Sequence, residues 1–226
     1  MKSIVNRVII TAVAASALAG HASGTDRPFD YLQFSYVVGG DIEFGLGGGA
    51  SAELDIERGY VIKGAFALND MFYVAGESHN LDYDDSTAEL LSAGDSVVIN
   101  DLALIGAGLH FPVTADVELY GQLGLARATV AQFSGSGFGV KAGGRIAAGM
   151  ADVDVWYLFA ATDVTASGDK TDIEPSLFGL DVALDLAEGA PQLVLGYAAG
   201  TTELSSGTDA VDLDSNAFSV GIRKQF

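Results

Sequence analysis

Phe218-Ser219-Val220-Gly221-Ile222-Arg223-Lys224-Gln225-Phe226 alternates apolar side chains (Phe218, Val220, Ile222, Phe226) with Ser219, Gly221, Arg223 and Gln225. Successive side chains of a β-strand point to opposite faces, so this stretch reads as a strand with one apolar and one wet face. Working back toward the N-terminus, the same period of two recurs over Asp30–Val38, Arg58–Leu68, Met71–Tyr83, Val97–Phe111, Val117–Ala131, Phe138–Ala148, Asp152–Thr162, Ser176–Leu186 and Gln192–Glu203. In the first of these Leu32, Phe34, Tyr36 and Val38 oppose Gln33 and Ser35. In the Asp152–Thr162 stretch Val153, Val155, Tyr157 and Phe159 oppose Asp152, Asp154 and Trp156.

The connections alternate as well. Short turns fall at Asn69-Asp70, Pro112–Asp116, Gly149–Ala151 and Ala187–Pro191. Longer, glycine-rich or acidic connections fall at Gly39–Glu57, Asp84–Ser96, Gln132–Gly137, Asp163–Pro175 and Leu204–Ser215. Short turns at one end, long loops at the other and an even strand count predict a transmembrane antiparallel up-and-down β-barrel with periplasmic turns and extracellular loops. Ten strands is the count read here, with eight as the alternative. A soluble β-sandwich has no such asymmetry of connections.

Composition agrees with this reading. The chain of 226 residues has a formal net charge of −19, so it has no basic surface for nucleic acid. Its mean hydropathy is nevertheless +0.32, so acids and apolar residues must be segregated along the chain. It has no cysteine, which excludes disulfides and a thiol nucleophile. Residues 1–22 read as a Sec-type signal peptide: Lys2 and Arg7 precede the apolar run Val8–Ala19, and Gly20-His21-Ala22 offers small residues for cleavage. The barrel domain is then 23–226. Acids or glycines interrupt every later apolar stretch, so entry into a membrane would have to be by strands, and only a closed barrel satisfies their backbone there.

The terminal strand resembles the C-terminal signal of bacterial outer-membrane proteins, with Phe218, Val220, Ile222 and Phe226 at the matching positions and Lys224 as a departure. The resemblance implies recognition by the barrel assembly machinery and residence in the bacterial outer membrane, in contact with lipid and lipopolysaccharide. The hairpin Gly59–Val74 looks like those of the small OmpA/OmpX-like barrel superfamily, whose members typically have eight strands.

By parity, Lys63, Lys141, Arg145 and Arg223 face the lumen with Glu77, Asp101, Glu118, Asp154, Asp181 and Asp185. These can pair into a network that fills a narrow barrel. The expected role is therefore structural or surface-interacting, with a largely plugged lumen. The alternative is a small porin-like channel for cations or small solutes. A rim-site hydrolase is a remote third reading. Its base would be His79, but Ser78 and His79 point to opposite faces and no omptin-like pairing with Asp82, Asp84 or Asp85 is legible. No cofactor is implied. Asp82, Asp84 and Asp85 are also weak candidates for a divalent-cation site, since hard cations need several converging oxygens. Cations held by the acidic loops could bridge them to lipopolysaccharide, and a thermal melt indifferent to EDTA would count against that. Gly39–Ser51 lacks Gly-Lys-Ser/Thr and reads as a surface loop, not a phosphate loop.

Overall fold

A computed structural model describes residues 29–47, 50–83, 99–130, 133–166, 169–206 and 209–226. They form ten strands: β1 (Tyr31–Gly47), β2 (Ala50–Ala67), β3 (Phe72–Tyr83), β4 (Ile99–Pro112), β5 (Val117–Val130), β6 (Phe133–Ala148), β7 (Ala151–Ala166), β8 (Asp169–Leu184), β9 (Gln192–Ser206) and β10 (Asp209–Gln225). Each strand pairs antiparallel with its sequence neighbours, and β1 pairs with β10 to close the barrel. Closure leaves no sheet edge, so every wall strand finds ladder partners on both sides without water. Ten strands excludes the eight-strand alternative.

The alternation fixes which face meets lipid. Phe34, Tyr36, Leu109, Leu119, Leu123, Leu125, Phe138, Tyr157, Phe178, Phe218 and Ile222 are exposed on the outside. An apolar exterior on a closed barrel is the arrangement a bilayer demands. Phe218, Val220 and Ile222 lie on this outer belt, and Phe226, half-exposed just past β10, lies at the periplasmic mouth. Lys224 also points outward, and its ammonium donates to the Gly189 carbonyl at 2.7 Å. The cation thus leaves the lipid for the periplasmic turn, which accounts for a lysine in this strand.

The periplasmic turns are short and locally closed. In the β2–β3 turn Asn69 Oδ1 accepts from the backbone N–H groups of Met71 and Phe72, both at 2.9 Å. Gly149 and Gly189 adopt positive φ in the β6–β7 and β8–β9 turns, where a side chain would be strained.

The strands run further outward than the alternation predicts. Much of what reads as loop in Gly39–Glu57, Gln132–Gly137, Asp163–Pro175 and Leu204–Ser215 is strand in the structure. The reason is an inversion of polarity. Beyond the lipid belt the outward positions become polar: Asp41, Arg58, Asn80, Asp101, Arg127, Asp163, Glu174 and Asn216. The inward positions at this height are apolar: Ile42, Leu54, Ile56, Leu102, Ile173 and Leu213 are buried. The period of two therefore continues with its faces exchanged. Register shifts at Val37/Gly39 and Ile56/Arg58 bring the exchange about in β1 and β2 by moving the chain one residue against its neighbour. The β7–β8 ladder lapses between Phe159↔Ser176 and Thr162↔Ile173, where Pro175 has no N–H to donate.

Candidate functional site

The lumen is the place where polar chemistry is concentrated. Its middle layer is built on Trp156, supplied by β7 and fully buried. Trp156 lies across Gly179, its register partner on β8, where a Cβ would stand 2.1 Å from the indole Cζ2. Tyr73 covers Gly108 and Tyr120 covers Gly143 in the same way. Three glycines on the lumen face thus make room for three large rings that lie along the wall. Replacing Gly179 by Ala is expected to displace the indole and cost about 1–3 kcal/mol as an overpacked site. The emission of the chain's single tryptophan reports it, and an unchanged spectrum together with unchanged stability would refute the prediction.

Charged groups surround the indole. Lys63 Nζ contacts Asp181 Oδ2 at 2.5 Å and stands 4.4 Å from the Trp156 ring centroid. Trp156 Nε1 donates to the same Asp181 oxygen at 3.0 Å. Lys141 Nζ contacts Glu77 Oε2 at 2.7 Å and lies 4.6 Å from the indole centroid. Two ammoniums against one π-system, each with its own carboxylate, make a compact polar plug. His79 joins it through Glu77 Oε2 at 3.4 Å and packs on Trp156. His79 therefore belongs to the buried interior and not to the rim, so the rim-site hydrolase loses its base.

Toward the periplasm a second layer follows. Arg145 contacts Asp154 at 3.7 Å, and Tyr120 donates to Asp154 Oδ1 at 2.8 Å. Glu118 pairs with His110. Arg223 donates from Nε and Nη2 to Gln33 Oε1 at 2.9 and 2.7 Å and lies 4.9 Å from the Tyr31 ring centroid. This contact joins β10 to β1, across the seam that closes the barrel. Asp185 lies at the exposed periplasmic mouth, where it shares Gln192 Nε2 with Asp152 at 3.1 and 3.2 Å.

Asp101 is the departure from the expected lumen set. Its register partners are Asn80 and Thr129, which share the outer face, and Asn80 Nδ2 donates to it. Leu102 and Leu104 point inward instead, because β4 reaches this height within the inverted zone where the interior is apolar. Arg127, on the same outer face, donates to Ser134 at 3.1 Å. Asp82 forms an ion pair with Arg58 at 3.1 Å, while Asp84 and Asp85 lie outside the described residues. Among the described residues no group of three or more His, Asp or Glu side chains is placed to hold a metal ion.

Phe29 is a neighbour of this layer whose contacts alternation does not reveal. It precedes the first strand, is buried inside the mouth, and stacks on Tyr73 at 4.3 Å and against His110 at 4.6 Å between ring centroids. Its parity matches that of the buried Tyr31, Gln33 and Ser35, but nothing in the sequence gives the rings it meets across the lumen. Among the described residues, a cavity of about 50 Å³ lies above Trp156 and one of about 20 Å³ beside Tyr73 and Glu77. A vestibule of about 860 Å³ opens at the periplasmic end.

No protein-family model matches the chain, and no curated protein matches it. Solved structures do. The outer membrane protease OmpT from Escherichia coli aligns over 91% of this chain and 99% of its own at 9% identity and a TM-score of 0.48. The attachment invasion locus protein Ail of Yersinia pestis aligns over 85% and 97% at 14% identity and a TM-score of 0.35. Neisserial surface protein A aligns over 87% and 96% at 14% identity and a TM-score of 0.37. With its closed antiparallel wall, apolar outer belt and charged lower lumen, the chain has the fold of the bacterial outer-membrane β-barrels, here with ten strands.

Proposed function

We propose that this chain is a non-enzymatic outer-membrane protein whose plugged barrel carries a structural and surface-interacting role. The observation that carries the reading is the packing of the lumen. Trp156, Arg223, Tyr73, Leu104 and Leu158 are buried in it almost completely. The cavities of about 50 and 20 Å³ found among the described lumen residues each have room for a few waters at most, since one water needs about 10–15 Å³. An apolar zone caps the charged layer from the outside, and a dry apolar constriction opposes ion entry.

The acidic outer wall supports a role in surface contacts. Glu43 stands between Glu53 on β2 and Asp214 on β10, and Glu203 stands between Glu174 and Asp212. Like charges in direct register destabilise a sheet. The acids therefore serve something other than wall stability, such as the hydrated contact with lipopolysaccharide and the outside medium.

A cation channel is the second reading, because the periplasmic vestibule is lined by Asp116, Glu118, Asp152, Asp185 and Glu188. Planar-bilayer recording separates the two. The purified protein is expected to give no reproducible single-channel steps, and regular cation-selective steps would establish the channel instead.

A further inference from the structure

The cavity of about 20 Å³ in the charged layer is lined by two residues whose polar atoms the plug leaves unmet. Glu77 Oε1 and the Tyr73 hydroxyl are buried and have no hydrogen-bond partner among the described residues. Glu77 is 4% and Tyr73 1% exposed, so bulk solvent does not supply one. A buried polar group without a partner is costly, and in native proteins such groups are met by the chain or by ordered water. The neighbouring side chains are already committed. Glu77 Oε2 holds Lys141 at 2.7 Å and His79 at 3.4 Å. The Tyr73 ring lies over Gly108 and stacks on Phe29, which leaves its hydroxyl little freedom to turn elsewhere.

Volume and charge decide what fits. One water needs about 10–15 Å³, so the cavity takes one and not two. Lys63, Lys141 and Arg145 also line it, so a further cation is repelled. An anion would lie against the Glu77 carboxylate. A neutral molecule that both donates and accepts suits both atoms, because it can donate to Glu77 Oε1 and bond the Tyr73 hydroxyl in either sense. Each lysine ammonium carries three N–H groups, so a third bond is within reach, and buried waters typically make about three. We infer that the cavity beside Tyr73 and Glu77 is a binding site for one sequestered water, which bridges Glu77 Oε1 to the Tyr73 hydroxyl. This water is a component of the plug, completing the carboxylate whose other oxygen holds Lys141. The inference rests on the plugged reading in one respect, since the water is sequestered only if the lumen is closed to solvent.

Two alanines provide the probes. Ala65 and Ala75 both line the cavity and are register partners on β2 and β3. The full protein, with isotope-labelled alanine methyls and folded in deuterated detergent micelles, is measured by nuclear Overhauser spectroscopy at the water frequency. Both methyls are expected to show a cross peak to water. Ala65→Val adds two carbons to the lining and is expected to reduce the Ala75 peak at least about tenfold, because a close-packed site has no room for the molecule. Ala75→Val does the same for the Ala65 peak and serves if the first variant fails to fold. The Tyr73 hydroxyl is retained in both variants. A peak that survives the filling therefore comes from exchange of that hydroxyl proton and overturns the inference. Absence of the peak in the parent overturns it too, while the Trp156 indole N–H, bonded to Asp181, exchanges slowly in heavy water. A fast-exchanging indole would instead place solvent in the lumen and sink the plugged reading together with the sequestered water. Heat-modifiable gel mobility of each variant verifies that the barrel has folded.

Discussion

Asp181→Ala is expected to cost the barrel about 3–5 kcal/mol, the loss that follows when one member of a buried ion pair is removed and its partner stays. Asp181 serves two groups through one oxygen, the Lys63 ammonium at 2.5 Å and the Trp156 indole N–H at 3.0 Å. All three residues are buried. The alanine leaves a charge and a donor in a space too small to admit bulk water. Lys63→Met with Asp181→Leu is the informative companion, because removing both charges in favour of packed apolar groups recovers most of the loss. Urea unfolding of the barrel in lipid vesicles, followed by gel mobility and tryptophan emission, measures both. An Asp181→Ala barrel within 1 kcal/mol of the parent would mean that solvent reaches this layer, and it would weaken the plugged reading along with it.

Leu123→Arg is expected to cost about 2–4 kcal/mol, the cost of an arginine at the centre of a lipid-facing wall. Leu123 is 63% exposed on β5, between Leu119 and Leu125 on the same face. The native Arg127 stands on that face too, but two pairs higher and bonded to Ser134. The depth dependence is therefore the test. Leu119→Arg, nearer the periplasmic interface, should cost no more than about 1 kcal/mol. Equal costs at 119 and 123 would show that the belt has been placed at the wrong height.

These two sites also show what the residues alone disclose. Leu123 and its neighbours announce the lipid face because a bilayer requires apolar side chains without interruption, and alternation against Tyr120 and Gln122 then fixes the inner face. Lys63, Glu77, Lys141 and Asp181 follow by the same parity. Their pairing does not follow, because contacts such as Lys63 to Asp181 cross the lumen and depend on barrel closure. Asp101 shows the limit of parity. Alternation is symmetric, and it assigns a face only when one knows which solvent lies outside at that height. Above the belt the solvent is water, so Leu102 turns inward and Asp101 outward. The outer halves of β1 and β2 are hidden for a related reason, since the register shifts at Val37/Gly39 and Ile56/Arg58 break the count, and acids and glycines have low strand preference. Phe29 shares the parity of Tyr31, Gln33 and Ser35, all buried, so its inward side follows from alternation, but its stacking on Tyr73 and His110 is a property of the closed structure.

The exchange of faces along the wall also acts as a depth gauge. Two residues along a strand are about 6.6 Å, or roughly 5 Å along the membrane normal at the tilt of such barrels. A displacement of that size toward the periplasm would draw Asp41, Asp163 and Glu174 toward hydrocarbon. The opposite displacement would lift Phe34, Phe178 and Phe218 toward water. The barrel is therefore tuned to one bilayer thickness, and a thinner or thicker membrane must deform to fit the protein.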